Sequence, residues 1–221
     1  MSGIAGRSRY RAEMSGPGAE PAEFLEAGDP GLEPSGDPRR SRARLTAALW
    51  QDDGRDGERQ RILDLLEVHG AALADRTTGP GHLTGSALVV DAPGERVLLL
   101  FHTKLQRWLQ PGGHADGDHE LAGVALREAT EETGIAGLRV MVPAVDVDIH
   151  EIPRRGQVEA HLHLDVRFVV VAPAGAVLHG NHESEELRWV TAEELRSLAD
   201  EPGLLRLAGR GLAAYRSATA S

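Results

Sequence analysis

The 221-residue chain contains no cysteine, which excludes disulfides, thiolate metal ligands and a cysteine nucleophile together. It also lacks long apolar runs. The stretch Val97-Leu98-Leu99-Leu100-Phe101 is among the longest, far short of the ~20 residues that span a bilayer. The N-terminus carries no apolar signal core. Basic residues are in deficit, 24 against 34 acidic, and the formal charge of −10 argues against general attraction to nucleic-acid backbones or anionic membranes. A cytoplasmic protein with no nucleic-acid or membrane partner is expected, and any phosphate-bearing ligand needs local positive charge. What is present, 41% apolar residues, suffices for a sizeable core.

Residues 1–40 are rich in Gly, Pro, Ser, Glu and Arg, with Phe24-Leu25 almost the only large apolar pair. Such composition does not offset ordering entropy, so a disordered extension is expected, removable without loss of turnover or melting temperature. Residues 41–76 form a helical segment. Leu45, Leu49 and Trp50 mark one piece, Ile62, Leu65, Leu66 and Leu73 another, with a polar turn over 52–57. These helices could pair two chains as a homodimer. From residue 77 to 216 strands and helices intersperse: a hairpin of 86–90 and 96–101 around Pro93-Gly94, a helix over 120–133 stopped by Gly134, strands at 138–142, 145–150, 160–171 and 187–190, and helices at 192–199 and 204–215. The pattern is α/β, a mixed sheet sandwiched by helices.

The informative stretch reads Trp108-Leu109-Gln110-Pro111-Gly112-Gly113-His114, then a helix bearing Arg127-Glu128-Ala129-Thr130-Glu131-Glu132-Thr133-Gly134-Ile135. Glu128, Glu131 and Glu132 stand at i, i+3 and i+4 and share one helix face, where like charges cost roughly 0.2–0.5 kcal/mol per pair. Their place near the negative end of the helix dipole adds to that cost. Arg127 can pair with Glu131 at i+4, but Glu128 and Glu132 have no such neighbour. Oxygen donors suit a hard cation, and the preceding glycines let backbone approach an ion or phosphate closely. A solvated acidic face is the bland alternative, yet the carboxylates lie beside the apolar stripe of Leu121, Val124, Ala125 and Ala129.

Residues 113–135 resemble the signature box of the Nudix hydrolases. Gly113, Arg127, Glu128, Ala129, Glu131, Glu132, Gly134 and Ile135 fall in register. One position departs: His119 stands where the box has its first glutamate. Trp108-x-x-Pro-Gly-Gly and Glu185-Glu186-Leu187-Arg188-Trp189-Val190 resemble the family's flanking segments, so the likeness covers about residues 82–200. It implies a Nudix-type α/β/α sandwich. It also implies a Mg²⁺ or Mn²⁺ ion held by Glu128, Glu132 and the Gly112 carbonyl, and a small-molecule diphosphate substrate whose pyrophosphate bond is cleaved. Glu131 would be a further ligand, a catalytic group or Arg127's partner. Glu185, or else Glu183, would complete the metal shell or act as general base. His119 would be a supporting residue, and its replacement by Glu would retain or raise activity.

Lys104 and Arg107 could reach substrate phosphates, and Trp108 and Trp189 are read mainly as core. A related isomerase on the same fold relies on an active-site cysteine, which this chain lacks. A non-catalytic nucleotide-sensing module is the remaining alternative, kept open by His119. Outside the box, Asp146, Asp148 and His150 alternate with apolar residues, as do His161, His163, Asp165 and Arg167. A symmetric hairpin would set Asp146 against Asp165, Asp148 against His163 and His150 against His161. The patch is either a solvent face or lines the substrate cleft, contributing to a second metal site or to recognition of the diphosphate, and His161 and His163 are taken as substrate-binding candidates.

Overall fold

The computed structural model describes residues 22–48, 53–154, 156–181, 184–199 and 201–220; Leu49, Trp50, Glu183 and residues 1–21 lie outside the described residues. In chain order the elements are β1 (Glu23–Glu26), α1 (Pro38–Thr46), α2 (Asp53–His69), β2 (Gly81–Val90), β3 (Arg96–His102), β4 (Arg107–Leu109), β5 (Gly112–His114), α3 (Leu121–Thr133), β6 (Arg139–Ile152), β7 (His161–Val171), β8 (Ser184–Thr191), α4 (Ala192–Leu198) and α5 (Pro202–Thr219).

The predicted hairpin forms β2 and β3, and its turn is tied by Asp91 Oδ1, which accepts from the Glu95 and Arg96 amides at 2.8 and 3.0 Å. Every residue of β2 is buried, as a central strand covered on both faces requires. It runs parallel to β7 along its length and antiparallel to β3 and β5. The sheet is mixed and eight-stranded, ordered β1-β6-β7-β2-β3-β4, with β5 against β2 and β8 against β3. Strand alternation sends Leu83, Ala87, Val89, Val166, Phe168 and Val170 to the face packed with α1, α2 and α3. Leu88, Val90, Leu99, Val169 and Val171 go to the other, under α4 and α5. The expected α/β/α sandwich results.

Residues 22–40 differ from the expected disordered extension. β1 pairs with β6, Leu25 and Leu32 are buried, and Phe24 packs edge-on against Tyr215 with centroids 6.1 Å apart. Adding an edge strand needs main-chain groups plus alternate side chains, so one apolar pair is enough to dock it. Asp37 caps α1 by accepting from the Arg39 amide at 3.0 Å, with Pro38 at the first helical position. α2 begins at Asp53, inside the expected turn. Leu45, Ile62 and Leu66 are buried in the core of their own chain.

β6 is one strand where two were expected, with a register irregularity between Met141 and Asp146. It pairs with β7 two residues away from the symmetric hairpin: Asp146 faces Arg167, Asp148 faces Asp165, His150 faces His163 and Ile152 faces His161. The connection is not centred on the Arg154 to Gly156 region, and a shift of two preserves which face each side chain occupies. Among the described residues no helix is long and apolar enough to cross a membrane.

Candidate active site

α3 buries Leu121, Val124, Ala125, Leu126 and Ala129, which fixes the rotation of the helix and turns Glu128 and Glu132 toward β5. Gly134 ends it with φ 64°, the left-handed conformation that glycine adopts without strain. Glu132 is only 6% exposed, and its Oε2 accepts a hydrogen bond from the Gly112 amide at 3.0 Å. Glu128 lies over Gly113 so closely that a Cβ there would stand 2.5 Å from its carboxylate carbon. Two box carboxylates therefore meet the Gly112-Gly113 backbone.

Glu131 is exposed and borders a cavity of about 340 Å³ with Leu32, Asp118, Arg127 and Thr130. Arg127 pairs with Asp118 at 3.6 Å and with Glu128 at 3.7 Å, rather than with Glu131. Asp118 is one of the two acids that face the box arginine. Its Oδ1 accepts from the Ser35 and Glu120 amides at 3.0 and 2.9 Å.

His119 is fully buried. Its Nε2 lies 3.1 Å from the Ala71 carbonyl, which can only accept, so that nitrogen carries the proton. Nδ1 faces the Ser41 hydroxyl at 2.9 Å, and that hydroxyl donates to the His119 carbonyl, also at 2.9 Å. Its backbone amide donates to the Ser35 carbonyl at 2.6 Å. The ring thus joins the 3-10 turn at Gly70–Ala74 to α1, and its nitrogens are turned to these packing partners. The neighbouring Glu120 is also buried, paired with Arg44 at 2.7 Å and Arg40 at 3.7 Å.

Glu185 is exposed at the start of β8 and accepts from Gln106 Nε2 at 2.8 Å. Lys104 is exposed in the β3–β4 turn, and Arg107 is exposed with Glu201 3.9 Å away. Trp108 is half-buried, edge-on to Phe101 with the Arg188 guanidinium 4.9 Å above it.

The polar face of β6 and β7 divides in two. Its inner half is a buried ion network: Arg167, 1% exposed, reaches Asp165 at 2.6 Å, Asp148 at 3.2 Å and Asp146 at 3.6 Å. Arg206 and Arg210, one turn apart on α5, reach the same Asp146 at 3.1 and 2.7 Å. Burial pushes the Asp148 carboxyl up, but the hydrogen bond with His150 and the charges of Arg167 and Arg206 outweigh it and hold the group well below the usual range. This half is neither solvent face nor cleft.

The outer half is histidine. His163 lies beside His82 of β2 and His114 of β5, with centroids 5.1 Å away in each case, and His161 stacks on His82 at 4.9 Å. Burial, then the neighbouring rings, lowers His82 to about 4 and His163 to about 3, so both are neutral at pH 7. The sequence gives His161 and His163 by their alternation. It gives no local signal for His82, which joins them only through the parallel pairing of β2 with β7.

A family model described as the NUDIX domain matches residues 81–208. The chain is 33% identical over 133 residues to a Mycobacterium tuberculosis protein named "Putative 8-oxo-dGTP diphosphatase 3", covering 56% of this chain and 58% of that one. It is 29% identical over 112 residues to a Lactococcus lactis protein named "Probable DHNTP pyrophosphohydrolase", covering 50% and 66%. It thus spans less than two thirds of the length of either relative. A solved structure of a C. elegans Ap4A hydrolase in a binary complex aligns over 59% of this chain and 95% of its own, with 18% identity and a TM-score of 0.49. The domain match extends over more than half of the chain and contains both the glycine loop and the carboxylate helix, and this chain belongs to the Nudix family.

Proposed function

We propose that this protein is a metal-dependent hydrolase that cleaves the pyrophosphate bond of a nucleoside diphosphate linked to another moiety, or of a related diphosphate. The observation that carries the reading is the meeting of Glu128 and Glu132 with Gly112-Gly113. Nudix hydrolases generally use a divalent metal. The donor set here fits one: carboxylate oxygens of opposite sign to the ion, beside a backbone with no Cβ to keep it away. Glu128, Glu132 and the Gly112 carbonyl would hold Mg²⁺ or Mn²⁺, which supplies charge neutralisation at phosphoryl oxygens and a more acidic bound water.

The remaining work falls to side chains. Glu131, one turn along α3 from Glu128, and Glu185, at the start of β8, are the carboxylates we assign to accept the proton of the attacking water. Lys104 and Arg107 are the exposed cations nearest in sequence to the glycine loop, and we assign them to the substrate's phosphates. Arg127, held between Asp118 and Glu128, positions Glu128. The names of the two relatives, a nucleotide diphosphatase and a pyrophosphohydrolase, support the reaction class.

The test is phosphate or pyrophosphate release from purified protein across nucleotide sugars, dinucleoside polyphosphates, modified nucleoside triphosphates and coenzyme-type diphosphates, with Mg²⁺, with Mn²⁺ and with chelator. Metal-dependent turnover that is lost in Glu132→Gln supports the proposal. Nucleotide binding without turnover on every substrate would instead favour the sensing module.

A further inference from the structure

The histidines at the outer end of β2 and β7 form a cluster that the proposed reaction does not use. Ring nitrogens of His82, His161 and His163, one from each residue, all lie within 4.8 Å of one another. The trio is built by the sheet: His82 sits opposite His163 in parallel register, and His161 is two residues before His163 on the same face. His82 is 1% exposed, yet neither of its ring nitrogens has a hydrogen-bond partner. Buried polar groups are ordinarily satisfied, so two idle nitrogens on one imidazole need an explanation. A packed core histidine would normally show at least one donor or acceptor opposite its ring, as His119 does.

His161 supplies a second observation. Its Nδ1 lies 2.9 Å from the Glu159 carbonyl and donates to it, which leaves Nε2 unprotonated. A backbone carbonyl on the far nitrogen is the arrangement that orients and enhances a metal-binding imidazole. The trio contains no carboxylate, and nitrogen donors select zinc, nickel, cobalt or copper over Mg²⁺, which takes oxygen.

We propose that His82, His161 and His163 bind a divalent transition metal of the zinc class, at a site separate from the carboxylate site on α3 and filled by a different ion. Three imidazoles leave a fourth tetrahedral position for water or for His114, whose ring is 5.0 Å from His82 and 5.1 Å from His163. Bonds of about 2.0–2.1 Å require the ring nitrogens to draw together, and His161 and His163 are partly exposed. The ion would clamp β2 to β7 beside β5, the strand that carries Gly112 and Gly113. The site stands whether or not the chain hydrolyses a diphosphate.

The experiment uses the untagged full chain, stripped with chelator and returned to excess Mg²⁺ so that the carboxylates are saturated. Zn²⁺ is titrated by calorimetry, and Co²⁺ by its visible absorption. One equivalent of Zn²⁺ per chain, a tetrahedral Co²⁺ spectrum and a raised melting temperature are expected. His161→Gln and His163→Gln, both at partly exposed positions, should each weaken Zn²⁺ binding by at least about tenfold. Glu132→Gln should leave it unchanged. Three results would each overturn the proposal: no Zn²⁺ binding in excess Mg²⁺, binding unaltered in both histidine variants, or binding lost in Glu132→Gln.

Discussion

The Gly112 amide donates to the Glu132 carboxylate at 3.0 Å, so the glycine loop is fastened to α3 by the same side chain proposed to hold the ion. Glutamine keeps an acceptor oxygen for that amide while losing the charge. Glu132→Gln should therefore fold like the parent protein, with its melting temperature little changed, while turnover falls at least about 100-fold. The stabilisation of the parent by added Mg²⁺ should also shrink in the variant, which a thermal melt with and without the ion checks.

Gly113→Ala tests the close approach beside it. The new Cβ would meet the end of the Glu128 side chain, which is flexible and swings aside at little cost to the fold. The expected outcome is a several-fold rise in the Mg²⁺ concentration for half-maximal activity, with less effect on stability. An unchanged Mg²⁺ curve would show that Glu128 does not act from this position.

His119 is predicted to matter for stability rather than chemistry, which revises the expectation from its place in the box. His119→Ala removes the ring that faces Ser41 and the partner of the Ala71 carbonyl in a fully buried position, a loss of about 2–3 kcal/mol. Turnover per folded molecule should change little. His119→Glu should be worse, because it sets a carboxylate against the Ala71 carbonyl. Urea melts alongside activity measurements separate the two effects.

Asp148 predicts an acid limb. Its carboxyl is held below its ordinary value of 3.8, so its contribution is complete above that pH and is lost as pH falls toward the folded-state value. Asp148→Asn should cost about 2 kcal/mol at pH 7, less than a fully broken buried pair because Arg167 keeps Asp146 and Asp165. The gap between variant and parent should narrow below pH 4. A gap that stays constant from pH 7 to pH 3 would remove Asp148 from the acid response.

Deleting residues 1–36 should destabilise the domain by at least about 3 kcal/mol, since Leu25 and Leu32 leave the core and β6 loses its outer partner. The Ser35 amide and carbonyl also leave Asp118 and His119. An unchanged urea midpoint would restore the view of this segment as a dispensable extension.

What could be read along the chain was whatever local periodicity writes. α3 shows its apolar stripe and its Gly134 stop, β2 and β3 flank a Pro-Gly turn, and β7 alternates visibly. β4 and β5 have three residues each, too few for a period to show, and β5 is mostly glycine. β1 was obscured because its two apolar residues sit in polar surroundings and gain their meaning only from the edge of β6. The two-residue displacement of β6 against β7 left every face assignment intact while changing each partner. His82 owes its role to partners some 80 positions away, and no local window on the sequence contains both members of the pair.

The parallel pairing of β2 with β7 also bears on how the protein is made. Each residue of β2 meets a partner synthesised about 80 positions later, a wait of roughly 4–16 s at ordinary elongation rates. During that interval the most buried strand of the sheet has one open edge, the feature from which chains recruit unwanted neighbours. A ribosome that stalls between α3 and β7 would release a fragment holding the complete family signature but lacking the strand that closes the open edge of β2. Such a fragment should be captured by chaperones or precipitate rather than fold.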